Sequence, residues 1–295
     1  TILSEGHLER HLRLCVKAGL DPIIAIQMAS LNAAECYGLM DRGAIKPGLR
    51  ADIVLLDDLK DFHVHRVFIE GREVAAAGRY LPEVTKHDIS AVRGRFRVRD
   101  FSAEKLRLKV NSDRVHVIAM RSGGIITRNE IAEVTRDENG CFVYDPGRDI
   151  VKIAVIERHI GTGNVAVALL KDYGLKRGAI ALSIAHDSHN IIVVGTNDAD
   201  MAYAVHKLIE QDGGIVLVHK QNVLESLPMP IAGLMSDRSG EWVDEKLTRI
   251  HRTAVDVLGV RDNLEPVMQL CFMALPVIPE IKLTDMGLFD VTQFN

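Results

Sequence analysis

Residues 179–194 read Ala-Ile-Ala-Leu-Ser-Ile-Ala-His-Asp-Ser-His-Asn-Ile-Ile-Val-Val, two apolar runs around a polar insert. Apolar runs this short, with β-branched residues in the second, suit buried strands better than helices. The insert 186–190 therefore lies between two core strands. Polar groups in such a place cost free energy unless each is hydrogen-bonded or bound to something. Histidine and aspartate supply proton transfer, substrate hydrogen bonds or metal ligation. Loops on a rigid scaffold are where sites are commonly built. His186, Asp187 and His189 are thus the candidate catalytic residues, with Asn190 as a pocket residue. The alternative is a satisfied polar turn in which Asp187 caps local backbone N–H groups. His186 and His189 share a face only if the backbone between them is helical or sharply turned.

Upstream, 151–156 is another apolar strand, followed by Glu157-Arg158-His159 and then Gly161-Thr162-Gly163. A strand end running into a glycine turn is a common site location in αβ folds. Glu157, Arg158 and His159 are therefore candidate pocket or supporting residues, with a strand-end ion pair as the plain alternative. The two glycines give only a weak phosphate-cradle signal, lacking both the six-residue spacing and a P-loop Lys-Ser/Thr. Residues 165–173 are expected to form a helix closed by Gly174. Downstream, 198–211 reads as a helix ended by Gly213-Gly214, 215–219 as a strand, and 239–258 as one long helix closed by Gly259. Ser236 and Asp237, in the loop before that helix, are further pocket candidates, although Asp237 or Ser239 could simply cap it. Residues 115–120, a turn at 122–124 and 125–127 are expected to form a hairpin.

Residues 89–113 are charge-rich, with Arg93, Arg95, Arg97 and Arg99, and are expected to form a linker and an exposed strand with a solvated basic face. Before them come short strands at 51–56, 65–69 and 72–77, punctuated by turns at Lys46-Pro47-Gly48 and Glu70-Gly71. The chain opens with two amphipathic helices. One covers 4–17 with Ser4 near its N-cap. The other starts at Asp21-Pro22, an N-cap followed by a residue suited to the first helical position, and ends near Gly38. The second carries Ile23, Ile24, Gln27, Met28 and Leu31 on one side. Starting at Thr1 with no preceding strand, these helices look like the tail of a larger upstream domain, and the chain like a fragment or processed product.

Composition excludes several classes. Hydrophobic residues at 47% and charged residues at 26% describe a globular protein rather than a disordered one. A net charge of −4 argues against general nucleic-acid or anionic-membrane binding, and the apolar runs are too short to span a bilayer. Cys15, Cys36, Cys141 and Cys271 are widely spread without a C-x-x-C pair, so neither a zinc knuckle nor a disulfide framework is expected and a cytoplasmic location is the default. His63-Val64-His65 matches an H-x-H metal pair only superficially, because no third ligand stands at plausible spacing. The H-x-E with P-C-x-x-C signature of cytidine-type zinc deaminases is absent.

Several segments together resemble one family, the bacterial adenine deaminases of the amidohydrolase superfamily. Residues 19–39 resemble the last barrel helix region of amidohydrolases, and 43–54 their entry into a composite β domain. Glu157-Arg-His159, Gly178-Ala-Ile180, His186-Asp-Ser-His-Asn190, Gly195-Thr-Asn-Asp198, Asp200-Met201, Gly233-Leu-Met-Ser-Asp237 and Leu275-Pro-Val-Ile-Pro-Glu280 resemble the adenine deaminase C-terminal domain. The resemblance implies mixed α/β and α+β architecture: terminal helices of a (β/α)8 barrel over 1–40, a small composite β-sandwich module over 41–90, and a C-terminal αβ domain over 91–295. It implies hydrolysis of adenine to hypoxanthine and ammonia by a divalent metal pair, manganese or iron, that activates water. The family's ligands are an early H-x-H, a bridging acidic residue, two further histidines and a late aspartate, and none maps onto this chain. The chain alone is then expected to be inactive, with the missing barrel segment as its partner and a homo-oligomer as the assembly. The alternatives are a non-catalytic folding and oligomerisation module, or a hydrolase of another cyclic amide or amidine.

Overall fold

The computed structural model describes residues 2–295, which divide into two compact units, one ending at His87 and the other spanning Asp88–Asn295. The first opens with α1 (Ile2–Glu5) and α2 (Leu8–Lys17), two pieces where one helix over 4–17 is predicted. They are split at Gly6, whose φ of 98° no helix accommodates. Then come α3 (Pro22–Gln27), a π-helical turn (Met28–Asn32) and α4 (Ala33–Cys36). The predicted cap is present: Asp21 accepts hydrogen bonds from the N–H groups of Ile23 and Ile24. Leu8, Leu14, Ile23, Ile24 and Met28 are all exposed. An antiparallel meander follows, β1 (Ile53–Leu56), β2 (Val64–Ile69), β3 (Arg72–Ala76) and β4 (Arg79–Tyr80), in that order across the sheet.

The second unit is built on an eight-stranded sheet. Its elements in chain order are β5 (Arg114–Ala119), β6 (Arg128–Glu133), a small ribbon of β7 (Thr135–Arg136) and β8 (Phe142–Val143), β9 (Ile150–Ile156), β10 (Val165–Lys171), β11 (Ala179–Leu182), β12 (Ile191–Gly195), α5 (Asp198–Glu210), β13 (Gly214–His219), β14 (Asn222–Pro228), α6 (Gly240–Arg252), a π-helical turn (Thr253–Val257), α7 (Pro266–Cys271) and the hairpin β15 (Ile281–Thr284) and β16 (Gly287–Asp290). The order across the sheet is β14-β13-β11-β12-β9-β10-β5-β6, with every pair antiparallel except β10 and β5.

One face packs under α6, α7 and β15 through Ile153, Val155, Ile192, Ile250, Leu270 and Leu283, and the other under α5 through Ala154, Val193, Met201 and Leu208. Both faces being buried explains the largest departure from expectation. Residues 165–173 are not a helix: Val165–Lys171 is a strand paired with β9, Val165 opposite Ile156. Ala166, Ala168 and Leu170 join one core while Val165 and Val167 pack against the other. A strand buried on two sides is apolar at every position, so its period is invisible. The predicted hairpin also shifts. The strand returning from β5 is Arg128–Glu133, with Ala119 opposite Arg128. Residues 125–127 are drawn away by the C-terminal segment, where Thr127 donates to the carbonyls of Pro279 and Ile281.

The charge-rich stretch is not an exposed strand. It lies across the α5 face, with Phe96, Val98, Phe101 and Leu106 packed inward while Arg93, Arg95, Arg97 and Arg99 face solvent. The helix predicted over 239–258 is α6 plus its π turn, capped by Ser239, which accepts from Trp242 N–H at 3.3 Å. Among the described residues, no helix is long and apolar enough to cross a membrane.

Candidate functional site

β9 and β12 lie side by side with Ile156 opposite Ile191. The loop leaving β9 and the loop entering β12 therefore emerge at the same end of the sheet. This register brings Glu157, Arg158 and His159 against His186, Asp187, His189 and Asn190, two groups 27 or more residues apart in sequence. Both loops are fixed by their own polar groups. Glu157, 6% exposed, accepts from the N–H groups of His159, Ile160 and Thr162 and from the Thr162 hydroxyl. Burial alone would raise its carboxyl, but these donors outweigh it and pull the pKa from 4.5 to about 2. Glu157 is therefore a permanently charged organiser of its loop rather than a proton carrier, and it is not ion-paired with Arg158. The same hydrogen bonds answer the phosphate-cradle expectation. Gly161 and Gly163 do turn through positive φ, but the N–H groups of Ile160 and Thr162 point at Glu157 and are already used.

A pH dependence follows from the Glu157 hydrogen bonds. Because the folded pKa lies below the unfolded one, Glu157 stabilises the fold fully above about pH 4.5, and loses that stabilisation as pH falls toward 2. Glu157→Gln is expected to cost roughly 3 kcal/mol near neutrality, the difference from the parent shrinking in acid. Denaturant melts of both proteins across this range measure it, and a gap independent of pH would contradict the carboxylate's role.

Arg158 is the largest side chain buried almost completely, at 2% exposure. Its guanidinium lies 4.4 Å over the Phe96 ring; Nε donates to the His189 carbonyl and Nη2 to the Ala232 carbonyl at 3.0 Å. Among the described residues it forms no ion pair. Burial lowers its pKa to about 10, with the carboxylates of Asp212 and Glu157 pushing back. The cation thus ties three segments together: the stretch before the sheet, the β11–β12 loop and the loop after β14.

What remains available for chemistry lies on the β11–β12 loop. His186 rests its ring edge-on against Phe272 at 5.5 Å, and its Nδ1 is 3.2 Å from the Asp187 carboxylate. Its side chain is 49% exposed and that of Asp187 73%. The His186 and His189 rings are 6.2 Å apart, brought together by a sharp turn in which His189 takes a φ of 54°. Burial, then the Arg158 cation, then His186 lower the His189 pKa; Asp187 opposes and His159 adds to the lowering. His189 is accordingly a neutral imidazole near neutral pH. His159, exposed, approaches the Ser188 carbonyl through Nε2 at 2.8 Å, and since a carbonyl only accepts, Nε2 carries the proton.

Ser236 and Asp237 are engaged elsewhere. The Ser236 hydroxyl accepts from Arg238 N–H, and Asp237 pairs with Arg93 at 2.6 Å instead of capping α6. Residues the sequence did not single out complete the arrangement: Phe96, Phe272, Asn164 and Asp285. The last lies in the turn Thr284-Asp285-Met286-Gly287 between β15 and β16. His63 and His65 have carboxylate neighbours after all, Asp58 at 3.5 Å and Asp57 at 3.3 Å, but both imidazoles are exposed. Among the described residues, no group of three or more His, Cys, Asp or Glu is placed to hold a metal ion.

The sequence matches the adenine deaminase C-terminal domain over residues 124–295, more than half of the chain and the part that carries both loops. The chain belongs to the adenine deaminase C-terminal domain family. Residues 3–74 match the amidohydrolase family. Among curated relatives of this adenine deaminase family, adenine deaminase 2 of Desulfotalea psychrophila is 63% identical over 295 residues, covering 100% of this chain and 51% of its own length. The adenine deaminase of Ligilactobacillus salivarius is 48% identical over 291 residues, 99% of this chain and 50% of its own. That of Nitratidesulfovibrio vulgaris is 46% identical over 294 residues, 100% of this chain and 51% of its own. The chain spans about half the length of the curated relatives it matches. In this adenine deaminase C-terminal domain the polar loops sit at one sheet end, fastened by Glu157 and Arg158.

Proposed function

We propose that the complete protein hydrolyses adenine to hypoxanthine and ammonia, and that this chain supplies two loops that shape or close its purine pocket. The observation that carries this is the identity to proteins named adenine deaminase across the whole chain, at 63% in one case. His186, Asp187 and His189 present an imidazole, a carboxylate and a neutral imidazole at the open side of the site, with the exposed His159 beside them and the buried Asn190, Glu157 and Arg158 behind. The family implies a divalent metal pair, manganese or iron. The residues here do not make a site for it, since no three candidate ligands converge among the described residues. On this reading the metal ligands lie outside this chain, and the two loops do not serve as metal ligands.

Residues 1–40 are proposed as terminal barrel helices, 41–90 as the composite β-sandwich module and 91–295 as the C-terminal domain. The exposed Leu8, Leu14, Ile23, Ile24 and Met28 support a barrel segment as the partner of the first helices. A second reading, a non-catalytic folding module, draws support from the complete use of Glu157 and Arg158 in fastening loops.

The complete protein loaded with Mn²⁺ or Fe²⁺ is expected to release ammonia from adenine, and this chain with the same metals to release none. Ammonia release is followed by a coupled assay. Silence of the complete protein would remove the deaminase assignment, and turnover by this chain alone would overturn the placement of the metal ligands.

A further inference from the structure

Asp285 stands in the two-residue turn between β15 and β16, a hairpin that packs against β9 and β10. Its two carboxylate oxygens are used separately. Oδ1 accepts from Asn190 Nδ2 at 3.3 Å, and Oδ2 from Asn164 Nδ2 at 3.1 Å. Asn190 closes the β11–β12 loop. Asn164 closes the β9–β10 loop, where its carbonyl accepts from Glu157 N–H and its own N–H donates to the Thr162 hydroxyl. Asn190 is 4% exposed, and its Oδ1 is buried without a partner among the described residues. A carboxylate can only accept, so Asp285 dictates which end of each amide faces it. Without it the Asn190 amide gains by rotating, and the loop it terminates loses its reference point.

We infer that Asp285 is a positioning residue for the candidate site: its carboxylate bridges the two loops and sets the orientation of the Asn190 amide. The consequence for turnover rests on the proposed function, whereas the bridge itself does not. An aspartate satisfies two amide donors at once, and an asparagine in its place has one acceptor oxygen and a donor that meets a donor. Asp285→Asn therefore breaks one of the two links as it stands, and remaking it requires the Asn164 amide to turn its oxygen to the new donor and give up its contact with Met286 Sδ. Adding Asn164→Asp supplies the missing acceptor and restores both, with the charge moved across the bridge.

The test uses the complete protein and two readouts. Peptide-resolved hydrogen exchange, without adenine, should show the loops at 157–164 and 186–190 exchanging about tenfold faster in Asp285→Ala, with the core strands unchanged. Turnover of adenine (kcat/KM) should fall about tenfold or more, because small misplacements of pocket groups cost that much. Asp285→Asn should fall between, and Asp285→Asn/Asn164→Asp should return to within about threefold of the parent in both readouts. A role in general stability alone would not be rescued by moving the acceptor. Unchanged exchange in Asp285→Ala, or a double variant no better than Asp285→Ala, overturns the bridge. Faster exchange with unaltered turnover overturns its effect on the site. If the parent itself turns over no adenine, the deaminase assignment falls and exchange alone decides the bridge.

Discussion

His186→Ala in the complete protein is expected to lower adenine turnover by roughly 100-fold or more, while shifting stability by no more than about 0.5 kcal/mol. The two halves of this expectation come from different facts. The ring is half exposed at the rim, touching Phe272 edge-on and the neighbouring Asp187, so its removal opens no core cavity. The loop backbone stays anchored without it, since His186 N–H donates to the Cys271 carbonyl and His189 N–H to the Ala185 carbonyl. A side chain that contributes so little to packing, in a loop so fully fastened, fits the proposed contact with substrate. Positioned proton-transfer groups contribute about 10²- to 10⁴-fold, which sets the size of the loss. Steady-state kinetics beside a denaturant melt measures both halves. Near-normal turnover in His186→Ala and Asp187→Ala would transfer the preference to the non-catalytic module.

Arg158→Met should cost about 4 kcal/mol of stability in the second unit. Methionine fills much of the same volume and can still pack on Phe96, so the loss reports on hydrogen bonding more than on space. The carbonyls of His189 and Ala232 lose charge-assisted donors, each worth about 1.5–3 kcal/mol. Relief of the buried cation's desolvation offsets part of this, and it is that desolvation which holds the Arg158 pKa near 10. Arg158→Lys is expected to recover little, because a single ammonium cannot reproduce a fork whose Nε and Nη2 reach different segments. Chemical unfolding monitored on the lone Trp242, which lies in this unit, reads the change directly. A methionine variant as stable as its parent would mean that the clamp is dispensable. The His189 pKa should also rise toward its ordinary value when the cation is removed, which a histidine proton titration by NMR follows.

Legibility varied with the range of the interactions. β9, β12 and α5 were readable because their signals are local: apolar runs of strand length, an amphipathic run over 198–211 and a Gly213-Gly214 stop. β10 was not, because two-sided burial erases the alternation that marks a strand. Phe96 and Val98 alternate with solvent-facing arginines, a pattern that composition alone made look like a charged linker. The polar loop 186–190 was visible as an anomaly between core strands. The distinction between Glu157 as a pocket residue and Glu157 as a loop organiser was not visible, since it depends on where three backbone N–H groups point.

The sequence by itself determined the family, the presence of a sheet with covered faces, and the identity of the polar loop, because patterning and motif residues are properties of neighbouring positions. Only the tertiary structure decided which of those polar residues meet. The pairing of Ile156 with Ile191 set two distant loops face to face. A carboxylate 95 residues beyond Asn190 then joined them. Strand register and long-range hydrogen bonds are settled by the packing of the whole sheet, and no local run of residues encodes them.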